Sequence, residues 1–208
     1  MINLKSHTNT QKCEKTKINF VHLPTGNKSK NSMKHFIFVV LLACIANNIY
    51  AQWSEEELKP YQQKAEKTAK AFVEKRLASG KWDKEYDAHT IEFTMDTMRI
   101  EKVIDFQNED GHYTTYDMHQ MNRFRYEEYD KLLNKYYKIL MNSLPAEKKT
   151  TVRDSQRVWL KYRDSEKLLY EALIGSQEGT MWPVVAGDMN VQLVKDRVLI
   201  LFYILSNS

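Results

Sequence analysis

Through most of the chain beyond residue 54, apolar side chains recur at three- and four-residue steps, the spacing that gathers them on one face of an α-helix. Ser54-Glu55-Glu56-Glu57 opens the first such stretch as a capping box: a hydroxyl placed to accept a backbone N–H, with Glu three positions on. A Lys/Glu/Ala-rich helix follows to about Leu77, with Leu58, Tyr61, Ala65, Ala69, Phe72 and Val73 as its stripe, and ends near Ser79-Gly80. Between Trp82 and Phe106 the pattern is mixed. Ile91, Met95 and Met98 fit one face and predict a helix from about Ala88 to Ile104, before the turn residues Asn108-Glu109-Asp110-Gly111.

A long amphipathic helix is predicted from about Asp117 to Asn142, carrying Met118, Met121, Phe124, Tyr129, Leu132, Leu133, Tyr136, Tyr137 and Leu140. Pro145 suits the first position of the next helix, where its missing N–H would be unpaired in any case. Val152, Trp159, Tyr162, Leu169 and Leu173 carry that helix to about Ile174. A link of two or three residues makes these two helices antiparallel, with the Trp159 indole expected between them. After the loop Gly175–Thr180 and Met181-Trp182-Pro183, a last helix from about Val184 to Leu205 is apolar on several sides and therefore expected to be central. The expected fold is all-α: an antiparallel bundle of four to five helices built on the long hairpin, with little strand.

The residues before this region differ in kind. Met33-Lys34-His35, the apolar run Phe36–Ala46 and Ala51 before Gln52 have the make-up of a secretory signal peptide over residues 33–51, cleaved after Ala51. The run is short for a membrane span, which needs about 20 residues. Leu41-Leu42-Ala43-Cys44 offers the alternative of a lipoprotein anchored through Cys44. Residues 1–32 are polar and without periodicity, reading either as disordered or as an extension upstream of a start at Met33. The expected working part is thus residues 52–208, exported to the periplasm or beyond, with its core at 117–208 and no transmembrane span.

Charge follows the same division. Residues 1–51 hold seven Lys and one acid, leaving 31−7=24 basic and 27−1=26 acidic side chains elsewhere, a balance of −2. A nucleic-acid binder needs its positive surplus on the folded part, so no nucleic-acid partner is expected. Both cysteines, Cys13 and Cys44, lie in the leader, which excludes thiolate chemistry, disulfides and cysteine-held zinc from residues 52–208. There is no His-Glu-x-x-His, Gly-x-Ser-x-Gly or phosphate-cradling glycine loop, and His89, His112 and His119 lack metal-ligand spacing. Neither an enzyme, a metal nor a cofactor is expected.

Tyr129–Tyr137, Leu144-Pro145, Ser155-Gln156-Arg157-Val158-Trp159-Leu160-Lys161-Tyr162-Arg163-Asp164-Ser165-Glu166, Gly179-Thr180-Met181 and Asp196-Arg197 occur in the order of a known family. On these residues, 129–208 resembles the LprI-like lysozyme inhibitors, and Asp96–Glu101 is more weakly similar to a segment of longer members. The resemblance implies a helical domain in the bacterial cell envelope that binds and inhibits lysozyme. Many members carry cysteines flanking the Trp helix and the last helix, which Ser165 and its neighbours do not supply here.

Read from spacing, Gln156, Trp159 and Arg163 share one helix face, and Arg163 can pair with Asp130 or Glu127 on the neighbouring helix. Together with Tyr162 and Asp164 they are expected to hold the helices together. Met181 and Trp182, in a loop spanning Gly175–Gly187, are the candidate contacts to lysozyme, since Trp, Tyr and Arg anchor most protein interfaces. The alternative is an envelope-binding module for another protein or glycan, recognised through Tyr126, Tyr129, Tyr136 and Tyr137, without lysozyme inhibition.

Overall fold

A computed structural model describes residues 53–207; the expected extension, signal peptide and Cys44 anchor lie outside the described residues. Among the described residues there are five α-helices and no strand, as the periodicity implies: α1 Glu55–Ala78, α2 Ala88–Glu109, α3 Thr115–Ser143, α4 Ala146–Tyr170 and α5 Met181–Ser206. A five-residue π turn, Glu171–Gly175, ends α4.

Local chemistry sets the ends. Ser54 Oγ accepts from the Glu57 amide at 3.2 Å, and the Glu57 carboxylate accepts from the Ser54 amide at 2.7 Å. Thr114 and Asp117 repeat this arrangement, which moves the start of α3 from the expected Asp117 to Thr115. Gly80 and Gly111, with φ of +68° and +89°, follow α1 and α2 in the left-handed conformation that glycine adopts without a Cβ penalty. α2 runs beyond the expected Ile104 to Glu109, because Phe106 and Gln107 are buried on it. α5 starts at Met181 rather than Val184: Pro183 is its third residue, in the first turn, where an N–H has no partner within the helix.

Side-chain pairs give the directions. Tyr61 Oη donates to Asp110 at 2.9 Å, Lys64 pairs with Glu109 and Glu66 with Arg99, so α1 and α2 are antiparallel. α2 crosses α3 in the opposite sense, through Tyr136 Oη to Asp96 at 2.8 Å and Tyr129 Oη to Glu101 at 2.7 Å. α3 and α5 run parallel, with Asn122 Nδ2 donating to the Val184 carbonyl at 2.9 Å and Arg125 paired with Asp188 at 3.0 Å. Their approach is close because α5 presents Gly187, Val191, Val194 and Val198 inward; a Cβ on Gly187 would lie 3.1 Å from Asn122 Nδ2. The core joins Tyr129, Leu133, Tyr136 and Leu140 of α3 to Val191, Val194, Val198 and Leu201 of α5, with Ile100 and Val103 of α2 above them and Ala65 of α1 beyond.

The long hairpin is present but is not the centre of the bundle. α3 and α4 are antiparallel, tied by Arg163 to Asp130 and Lys167 to Tyr126. The nearest helix to α3 is nevertheless α5. The inner positions of α4 hold Trp159, Leu160, Arg163 and Lys167, long side chains that keep helix axes apart, and Gln156 alone of that helix is fully buried. Val152 and Trp159 pack against the core, whereas Tyr162, Leu169 and Leu173 of the expected stripe face outward. The centrality of α5 is likewise one-sided, since Leu199, Ile200, Tyr203 and Ile204 are exposed.

Candidate functional site

Helical spacing brings Gln156, Trp159 and Arg163 to the inner side of α4, and the structure shows what each touches. Gln156, 8% exposed, accepts at Oε1 from Arg197 Nε of α5 at 2.9 Å. Arg197 also donates to Ser155 Oγ at 3.1 Å, so adjacent residues of α4 hold one guanidinium. Arg163 points the other way, to Asp130 of α3 at 3.4 Å; Glu127, the other candidate, pairs with Arg123. Asp164 secures Arg163 from its own helix, through Nε at 3.0 Å and Nη2 at 2.8 Å. The half-buried Trp159 ring has both guanidiniums over it, each 5.7 Å from the centroid, a cation–π arrangement. This group of side chains therefore ties α4 to α3 on one side and to α5 on the other.

The two arginines differ electrostatically. Burial works against the charge of Arg163, but Asp164 and Asp130 outweigh it and raise its pKa. Burial alone acts on Arg197 and lowers its pKa, with no carboxylate to offset it. Gln156 and the Trp159 face thus supply the polar environment that an acid supplies to Arg163. Sequence reasoning gave Arg197 no role. The available signal was its position, since Lys195-Asp196-Arg197 is a charged triplet set between apolar residues of the last helix.

Tyr162 is half exposed and lies beyond this group. A cleft of about 290 Å³ between α3 and α4 is lined by Tyr137, Arg153, Gln156, Arg157 and Arg163, with Asp130 and Asn134 on its α3 wall. Tyr129 and Tyr136 are core residues, so they offer no aromatic surface to a partner.

Met181 and Trp182 are not in a long loop. The connection is residues 176–180, and both side chains project from the first turn of α5, 48% and 40% exposed. Gly179, at φ +108°, lies beside Trp182, so that a Cβ at this position would come within 3.9 Å of the Trp182 ring. Leu173 on the π turn is also exposed, so this end of the α4–α5 connection presents three large apolar side chains.

One buried acid, Asp96, and one half-buried acid, Glu101, went unforeseen. Asp96 accepts from Tyr136 and from Lys135 and Arg99. Glu101 accepts from Tyr129 and Lys195, with Arg125 beside it. Burial pushes the Glu101 carboxyl up, but the Lys195 and Tyr129 hydrogen bonds and the Arg125 charge hold it below its ordinary value. Both acids have their partners within the bundle and serve to register α2 on α3 and α5. Among the described residues, no group of three or more His, Cys, Asp or Glu side chains could hold a metal ion, and no helix is long and apolar enough to cross a membrane.

The segment that contains α3, α4 and nearly all of α5 is also the one similar to a known family. Residues 107–201 match the family Lysozyme inhibitor LprI. That segment is 95 of the 208 residues, beginning at the end of α2, upstream of Tyr129 and without the more weakly similar Asp96–Glu101. It includes the whole Gln156–Trp159–Arg163–Arg197 group and the exposed Met181 and Trp182. No curated protein and no solved structure gives a significant match.

Proposed function

We propose that this protein is exported through its residue 33–51 leader, remains free in the periplasm or outside the cell, and there binds and inhibits lysozyme. The match of residues 107–201 to an inhibitor family carries this reading. The α3–α4–α5 unit acts as a rigid support, held by the Arg163 and Arg197 ties, and presents the apolar end formed by Leu173, Met181 and Trp182. Trp182 is the anchor: a large, rigid, partly exposed ring on the first turn of α5, of the kind that carries most of the binding energy at protein interfaces. The protein acts by covering the enzyme rather than by chemistry of its own.

The test is turbidimetric lysis of bacterial cell walls by a c-type lysozyme. The protein is expected to slow lysis in proportion to its concentration, and Trp182→Ala to weaken inhibition at least tenfold, the equivalent of about 1.4 kcal/mol. Unimpeded lysis at high molar excess overturns the proposal and leaves an envelope-binding module. Inhibition unaffected by Trp182→Ala would place the contact elsewhere on the bundle.

A further inference from the structure

On the side turned away from the core, α5 carries a second row of residues: Val185, Met189, Gln192, Asp196, Leu199 and Tyr203. Successive steps of four and three residues align them as one stripe, about 27 Å long at 1.5 Å per residue. Val185, Leu199 and Tyr203 are 38%, 42% and 70% exposed. At the middle, the exposed Gln192 donates from Nε2 to Asp196 Oδ1 at 2.6 Å. Ile200 and Ile204 are also exposed and widen the row on the side of α5 where Arg197 is tied to Ser155 and Gln156 of α4. Met189 is half-buried, and the exposed apolar side chains at the two ends of the row, grouped on one helix face, mark an interaction face.

We propose that this face joins two copies of the chain, with α5 lying antiparallel on α5 of the partner subunit about a two-fold axis that crosses the outer face midway between Gln192 and Asp196. The stripe reads the same from either end: two apolar residues, two polar, two apolar. Antiparallel docking about its midpoint sets Val185 against Tyr203, Met189 against Leu199 and Gln192 against Asp196, each contact occurring twice, as an isologous interface requires. The Gln192 amide has a second N–H, free to donate to Asp196 across the axis. A polar pair in an apolar seam fixes register, because any slip would bury those groups against hydrocarbon. A strongly charged partner would find a single charge on the stripe, at Asp196, and a lipid surface would desolvate the central pair without supplying the cross-axis N–H that a second copy supplies. Val185 lies one turn after Met181 and Trp182, so the row adjoins the proposed lysozyme contact, but the inference rests on the row itself and not on lysozyme binding.

Sedimentation of the full chain at about 50 µM, where micromolar self-association is well populated, is expected to give twice the chain mass of 24.6 kDa. Tyr203→Glu is expected to weaken association at least tenfold with an unchanged helical circular dichroism spectrum, since the side chain is largely in solvent. In a Cys13→Ser, Cys44→Ser background, oxidation of Val185→Cys mixed with Tyr203→Cys should yield a cross-linked pair much faster than either protein alone. A monomer at that concentration, a dimer indifferent to Tyr203→Glu, or equal cross-linking by the single proteins would overturn the proposal.

Discussion

Replacing Gln156 with alanine is expected to lower the stability of the bundle by about 2–3 kcal/mol, through a hydrogen bond whose donor has no other strong partner. Gln156 is 8% exposed and accepts from Arg197 Nε at 2.9 Å. A hydrogen bond to a charged group contributes about 1.5–3 kcal/mol. The lower half of that range applies, because Arg197 keeps Ser155 Oγ and the Trp159 face. Loss of buried methylene surface adds about 0.8 kcal/mol per group. For a domain of this size the melting temperature should fall by about 5–10 °C. The decisive form is a double-mutant cycle: Gln156→Ala, Arg197→Ala and the pair, each followed by urea denaturation monitored by circular dichroism. Arg197→Ala removes the guanidinium that needs the acceptor, so the second substitution should cost less in its presence, with a coupling of about 1–2 kcal/mol. Coupling below about 0.5 kcal/mol, the ordinary limit of additivity for independent sites, would refute the claim that Gln156 supports Arg197.

Acid should loosen the α1–α2 pair through Glu66. The Arg99 hydrogen bond, aided by Lys70, holds its carboxyl at about 2 against an ordinary 4.5. A carboxyl depressed on folding contributes stability that is complete above its ordinary value and is lost as pH falls toward 2. Glu66→Gln should therefore flatten the stability–pH profile between those values, and an unchanged acid limb in denaturation from pH 5 to pH 2 would count against the pairing. Gly187→Ala gains about 1 kcal/mol of helix propensity but sets a Cβ 3.1 Å from Asn122 Nδ2, which is held by the Val184 carbonyl. The expected net result is a loss of about 1 kcal/mol, reversed to a gain in an Asn122→Ala background; stabilisation of the otherwise unaltered protein in chemical denaturation would contradict it.

Helix number, approximate bounds and the all-α class were legible in the linear pattern, because an amphipathic stripe and a cap are local properties. Ser54 with Glu57, and the run of apolar positions from Phe124 to Leu140, declare themselves within a few residues. The common face of Gln156, Trp159 and Arg163 is likewise a matter of helical spacing. Which helix lies nearest α3 is different in kind. A short link predicts neighbours in sequence, yet close packing selects neighbours by side-chain size, and the Gly and Val residues of α5 come nearer to α3 than the Trp and Arg residues of α4 can. The same limit applies to polar partners. Whether Arg163 meets Asp130 or Glu127, that Arg197 rests on a glutamine, and that Asp96 and Glu101 are gripped from α3 and α5 all depend on groups far apart in sequence. An apolar residue does not announce whether it faces the core or a second protein. Tyr203 and Val198 both belong to the greasy helix α5, and their five-residue separation turns one outward and the other in. Periodicity sets the faces of each helix, while burial belongs to the assembled bundle, because it is decided by what stands opposite.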